Sequence, residues 1–546
     1  MTKQRTFTLG ERKYFPYLLL TVIGLVCYHN SFFNAFLWDD ESLILANEYI
    51  RSPINIFKIF SVDLYHWTVK SDFYRPIFSL SLMFDYRLWH LYPFGYHLTN
   101  FLLHLANSFL IFYFINFLIA NKKIALIASL FFLVHPIHTE AVTYISGRAD
   151  PLATLFVLLA VLFFAKSRTV INLKKTIYYL SSVFLFILGL LSKEIVLALP
   201  LLLILYDLCF SSFRKNIKEH LVFLLLAALY IILRNHFLPI SLSSKIPHSL
   251  FLKIINLPKV ISFYLYLLVS PFDLRVERFF PMSKSIDLRL FLSVSLFIFI
   301  VIGIIKSFRR SKIIFFFSLW FFINLLAIAN IMLPLNAVVA EHWLYLPSIG
   351  FFAIIALGID KISKKTLLFS RYAPSIQLKR ACLIIIIATL SSLTVARNFE
   401  WNNGIILFER TLEASQSYPG YKNIRLRYNL GIAYYKSGRF DEAIEQYKNI
   451  LKLMPDFEEV HYNLATAYIC KGLYDEAEQE CLKAIEIASN YIMPYYALGL
   501  IYKKRGNIED ARIIWDKMLK IKTNCRLCNL FREKVKPSVE PFIYRP

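Results

Sequence analysis

The chain has 546 residues, 57% of them hydrophobic and 16% aromatic, with a mean hydropathy of +0.52. That is far more apolar than a soluble globular average and excludes an ordinary water-soluble protein in favour of a polytopic membrane protein. The formal net charge of +24 comes from Lys and Arg in short clusters between hydrophobic runs, a placement that orients spans rather than meets phosphates, so no nucleic acid is expected as a partner.

In chain order, Lys3, Arg5, Arg12 and Lys13 precede the first apolar run, which no cleavage site follows and which is read as a retained span. Further predominantly apolar runs at 124–134, 152–165, 221–233, 290–305, 313–331 and 383–395 approach spanning length with their flanks. Basic clusters at Lys122 and Lys123, 166–175, 214–218, 306–312 and 361–365 mark cytoplasmic turns. Alternate crossing then puts the loops carrying Asp39, Glu140, Lys193 and Glu341 on the non-cytoplasmic face, together with everything after 397. To keep the cluster at Arg309 inside, 257–270 is read as a re-entrant or interfacial helix, which leaves about eleven spans.

The polar residues of those loops carry the chemistry. Trp38, Asp39, Asp40 and Glu41 follow the first span directly, and the amphipathic stretch 43–64 behind them is expected to fold back as a lid or cavity wall. A carboxylate there can take a proton from a hydroxyl, and its neighbour can orient an acceptor or hold a divalent ion; a merely solvated loop is the alternative. Tyr74, Arg75 and Pro76 come next. His97, Asn100 and His104 then share one helix face, to contact either a ligand or a packed neighbour. His135, His138 and Glu140 lack a standard zinc spacing. The cations of Arg148, beside Asp150, and of Lys193, beside Glu194, suit phosphate oxygens, or else tie helices together as ion pairs. Glu341 and His342 open the segment that continues to Pro347.

The tail repeats with a fixed period. Gly431, Ala465 and Gly499 recur in register, as do Tyr434, Tyr468 and Tyr502, Gly438, Gly472 and Gly506, and Ala443, Ala477 and Ala511. Small residues at helix crossings with an aromatic between them make the tetratricopeptide pattern, in full units at 424–457, 458–491 and 492–525 after a half unit at 405–415. The domains expected are 1–397 in the membrane, 398–522 as the repeat solenoid and 523–546 as a tail. Cys470 with Cys481, and Cys525 with Cys528, can pair in an oxidising compartment or remain thiols.

The series Trp38 to Asp40, Tyr74 to Pro76, Pro93 to His97, His135 to Val142, Gly147 to Asp150, Lys193 with Glu194, and Glu341 to Gly350 resembles, in order and spacing, a family. It is that of the transmembrane and tetratricopeptide-repeat-containing O-mannosyltransferases and their bacterial relatives, within the GT-C glycosyltransferases. The likeness runs from about residue 30 to 522. One departure is that His342 follows Glu341 where an Arg is expected. The resemblance implies an all-α fold, a GT-C-type transmembrane helical domain followed by a TPR α-solenoid, and an inverting transfer of a hexose such as mannose from a polyprenyl-phosphate donor to Ser or Thr of exported proteins. It implies Asp39 or Asp40 as base, Arg148 and Lys193 at the donor phosphate, and supporting places for Glu41, Arg75, His97, His135, His138, Glu140, Asp150, Glu194, Glu341 and His342. No cofactor is specified; a divalent cation at Asp39 and Asp40 is left open. The partners implied are the lipid-linked donor, membrane lipids and a peptide held by the repeats, in a bacterial inner membrane with the site facing the periplasm. A scaffold that recruits partners through its repeats, or an enzyme with a lipid or glycan acceptor, is the alternative.

Overall fold

The computed structural model covers the chain and describes residues 13–65, 73–237, 250–278, 280–327, 337–369, 376–415 and 423–521. Among these residues there are α-helices, short 3-10 and π-helical turns and no strands, as the all-α expectation requires. Two compact units divide the chain, Met1–Asn403 and Gly404–Pro546.

Among the described residues of the first unit, eight helices are long and apolar enough to cross a membrane, and the pair Lys122–Val134 and Pro136–Val142, bent by 52°, makes up to nine. The count of about eleven from apolar runs with their flanks also takes in residues outside the described ones. Pro136 breaks one run, since proline lacks the N–H that would continue the helix. Lys312–Ala327 is an apolar helix of 16 residues that runs up to the edge of the described residues. The region read as re-entrant, 257–270, instead forms most of the helix Leu250–Val269, itself a candidate span from Phe251. The chain is a multi-pass membrane protein.

Starts of helices are set locally. Pro76 and Pro93 occupy first-turn positions where a missing N–H costs nothing, and the Asn121 side chain caps Lys123 N and Ile124 N at 3.0 and 3.2 Å. Buried Phe114, Phe132, Val161, Trp320 and Phe352 fill the centre of the bundle. Because lipid tails are as apolar as these side chains, close contact rather than expulsion of water holds them. Outward residues of Leu288–Arg310, such as Phe299 at 75% exposure, are apolar, as a lipid-facing helix requires. The stretch after the first span does fold back. Its Leu43, Ile44, Ile50 and Ile59 pack with Phe78 and Leu82 of Pro76–Trp89 in a second, smaller core.

The second unit holds the helix Gly404–Ser415, then the antiparallel pairs Ile424–Lys436 with Phe440–Leu451, Glu458–Lys471 with Tyr474–Ile487, and Ile492–Lys504 with Ile508–Ile521. The small residues of the repeat have a steric cause: a Cβ on Gly431 would lie 2.5 Å from the Tyr447 ring, and one on Gly499 would lie 2.1 Å from Trp515. Cys470 and Cys481 are both free thiols. Cys525 and Cys528 lie outside the described residues.

Candidate functional site

The two first-loop carboxylates are not equivalent. Asp40 is 1% exposed, and its oxygens accept hydrogen bonds from Leu37 N at 3.0 Å, Ser146 N at 2.9 Å and Ser146 Oγ at 2.5 Å. Burial pushes its carboxyl up to about 7 against the pull of those donors. Asp40 therefore pins the first loop to the second. Asp39 is half-buried. Its backbone N–H donates to the Tyr144 hydroxyl at 2.9 Å, and its carboxylate lies beside the Tyr65 hydroxyl, which burial and then that carboxylate hold well above the usual phenol range. Glu41 begins the helical turn Glu41–Leu45.

Tyr65 also feels the charge of Arg75, which brings Asp39 next to a four-residue ion network. Arg75 Nη2 meets Glu194 at 2.7 Å, and Lys193 Nζ meets Asp150 at 2.6 Å. Arg75 keeps 15% of its side chain exposed, whereas Lys193 keeps 9%. Burial draws the Lys193 ammonium below its usual value in spite of Asp150; for Glu194, burial raises the carboxyl but the Arg75 guanidinium outweighs it and the net direction is down. Two cations and two carboxylates are thus packed together, with Arg75 reaching toward Asp39 through Tyr65.

Arg148 lies deeper. It has no exposed surface, pairs with Asp85 at 2.5 Å, and donates to Asn100 Oδ1 at 2.6 Å, Tyr96 O at 2.9 Å and Ser81 O at 3.2 Å. Its guanidinium is fully engaged within the fold, so Arg75 and Lys193 are the more accessible cations. Gly147 before it cannot carry a side chain, since a Cβ would lie 2.3 Å from Glu140 O. The histidines are also interior: His97 Nε2 lies 3.1 Å from Asn34 O, His135 Nε2 lies 3.1 Å from Leu268 O, and His104 Nδ1 lies 2.7 Å from the Tyr345 hydroxyl. His138 is fully buried with its Nε2 3.4 Å from Ser348 Oγ. These contacts are with the packed interior.

Glu140 instead holds His342, accepting from its backbone N–H at 3.0 Å and lying 2.7 Å from its Nδ1. Glu341, 2% exposed, accepts from the backbone N–H of Arg275 and faces Arg278 at 3.3 Å and Arg397 at 3.6 Å. Burial raises its carboxyl to about 7 even so. The arginine expected after Glu341 is thus replaced in space by Arg278 and Arg397, which sequence reading missed. Arg397 had a signal: it is a charge at the end of the apolar helix Ile376–Glu400. Asp85, Tyr65, Tyr144 and Ser146 were missed too, having no motif about them. Among the described residues, no three His, Cys, Asp or Glu side chains are grouped as a metal would need.

Two family patterns match the tail, "TPR repeat" over 431–472 and "Tetratricopeptide repeat" over 458–491. A protein O-mannosyl-transferase of Caenorhabditis elegans is 29% identical over 462 residues, covering 81% of this chain and 63% of the relative. Protein O-mannosyl-transferase TMTC3 of Homo sapiens is 28% identical over 487 residues, covering 80% of this chain and 51% of the relative. The chain is a homologue of the protein O-mannosyl-transferases. It spans between half and two thirds of the length of these homologues. The crystal structure of ArnT from Cupriavidus metallidurans bound to undecaprenyl phosphate aligns with 76% of this chain and 80% of its own, at 15% identity and a TM-score of 0.39.

Proposed function

We propose that the chain is a membrane glycosyltransferase that moves a sugar, a hexose such as mannose, from a polyprenyl-phosphate donor to a Ser or Thr hydroxyl of exported proteins. The observation that carries this is the convergence of a half-buried carboxylate, Asp39, with the partly exposed Arg75 and its neighbour Lys193 through Tyr65. In this reading, the acceptor oxygen attacks the anomeric carbon as Asp39 takes its proton. The bond from that carbon to the phosphate oxygen breaks on the opposite side, so the configuration inverts. Arg75 and Lys193 exchange part of their pairing with Glu194 and Asp150 for the departing phosphate, whose charge a guanidinium fork stabilises. Asp40 holds the first loop, and Glu341 pairs with Arg278 and Arg397. The apolar donor tail lies among the spans, the loops face the periplasm of a bacterial inner membrane, and the repeats present the polypeptide.

The test compares glycopeptide masses of the native host's exported proteins in wild type, a deletion strain and an Asp39→Asn strain at equal protein level. Hexose additions on Ser or Thr are expected to vanish in the deletion and in Asp39→Asn. Their persistence in Asp39→Asn overturns the assignment of the base, and their persistence in the deletion overturns the reading as a whole.

A further inference from the structure

Trp38, immediately before Asp39, has φ of +55°, a left-handed backbone that a bulky residue adopts only when its surroundings hold it there. What holds it is visible. The Trp38 ring stacks on Tyr144 with centroids 5.9 Å apart and planes 24° apart, and Tyr144 stacks on Trp401 at 5.2 Å and 20°. The hydroxyl of the same Tyr144 accepts from Asp39 N at 2.9 Å. Trp401 is 1% exposed and follows Asn398, which accepts from Thr143 Oγ1 at 2.5 Å and donates to Cys27 O at 2.8 Å. The end of the last span is thereby fastened both to the second loop and to the first span.

We infer that Tyr144 and Trp401 are positioning residues for the base: their stack keeps Trp38 in the left-handed state that aims the Asp39 carboxylate into the site. The inference rests on the reading of Asp39 as base. Neither ring touches the reacting atoms. Each acts through the backbone of residues 38 and 39, so loss of the stack lowers turnover while leaving acceptor binding in place. A misplacement of the order of 1 Å at a reacting group is enough for a large loss in rate.

The experiment uses membranes of the deletion strain carrying each variant, with their own lipid-linked donor and an added synthetic Ser/Thr peptide, and measures initial rates against peptide concentration. Trp401→Ala is expected to lower kcat about ten-fold with the peptide KM within about two-fold of wild type. Trp401→Phe, which keeps a stacking ring, should restore most of kcat, and Tyr144→Phe, which keeps the stack but loses the hydroxyl, should fall between. If Asp39→Asn is inactive but Trp401→Ala turns over like wild type, the positioning role is overturned and the base stands. If Trp401→Ala and Trp401→Phe lose rate equally, together with thermal stability, Trp401 serves stability alone and the inference also falls. Full activity in Asp39→Asn, or no transfer by wild type, overturns the transferase reading and the positioning role with it.

Discussion

Arg75 and Arg148 carry the same guanidinium, and burial decides what each can do. Arg148 lies fully enclosed against Asp85, so truncating it strands a carboxylate in a low-dielectric interior, a loss of roughly 3–5 kcal/mol. Arg75 sits at the rim against Glu194 with part of its surface free. Arg148→Ala is expected to give little folded protein in detergent, seen as a lowered unfolding midpoint or loss of the monodisperse chromatographic peak. Arg75→Gln should lower the midpoint less than Arg148→Ala does, because Glu194 keeps some solvent contact, and raise the donor KM about ten-fold, the size of one lost charge-assisted contact. Equal destabilisation by both would mean that Arg75 is a structural cation too. The polar segment from Gly147 to Asp150 stands out in an apolar chain, so its importance is legible from sequence. Which of its side chains faces open space is not, because Asp85 is an isolated carboxylate inside an apolar helix with no motif to announce its partner. The split between Asp39 and Asp40 has the same origin: Ser146, which ties Asp40 down, lies 106 residues away.

At the scale of elements, what repeats was legible and what bends was not. Hydropathy locates spans and the recurring glycines locate helix pairs, whereas the irregular turn carrying Asp273, Arg275 and Arg278 has no period, and its approach to Glu341 was out of reach. The repeat pairs are also joined by polar contacts. His461 Nδ1 lies 2.5 Å from Glu480, linking Glu458–Lys471 to Tyr474–Ile487. Burial lowers the imidazole value, but Glu480 and the Pro455 carbonyl outweigh it and leave it above 6.5; burial raises Glu480, but His461 and Lys483 outweigh it and leave it below 4.5. The stability drawn from a raised imidazolium is present below 6.5 and lost as pH rises through the folded value. That drawn from a depressed carboxyl is present above 4.5 and lost as pH falls through the folded value. The pair therefore stabilises most between 4.5 and 6.5, by about 0.5–1 kcal/mol for a partly exposed contact. Cys481, fully buried on the second helix of that pair, reports opening. His461→Gln should raise the alkylation rate of Cys481 about two- to five-fold over wild type at pH 6, with the ratio approaching one by about pH 9. A ratio unchanged with pH would show that the contact carries no charge-dependent stability.

For the whole molecule, the question is what a repeat unit adds to a membrane unit that already contains every residue assigned to the chemistry, all of it before Gly404. A solenoid of helix pairs, each packed on its neighbours, offers an extended surface. Tethering such a surface to an active site converts acceptor capture into an intramolecular step at an effective concentration of the order of millimolar. That gain matters for a dilute, folded or extended polypeptide. For a short peptide supplied at saturating concentration it adds nothing, because occupancy is already complete. Removing residues 404–546 should therefore leave transfer to a saturating short Ser/Thr peptide within about two-fold of the full chain, while hexose occupancy of exported proteins in the host falls about ten-fold or more. Both readings are made at matched levels of the full and truncated chains. If both substrates lose equally, the repeats support the membrane unit rather than the acceptor, and if neither loses, acceptor selection lies wholly in the loops around Asp39.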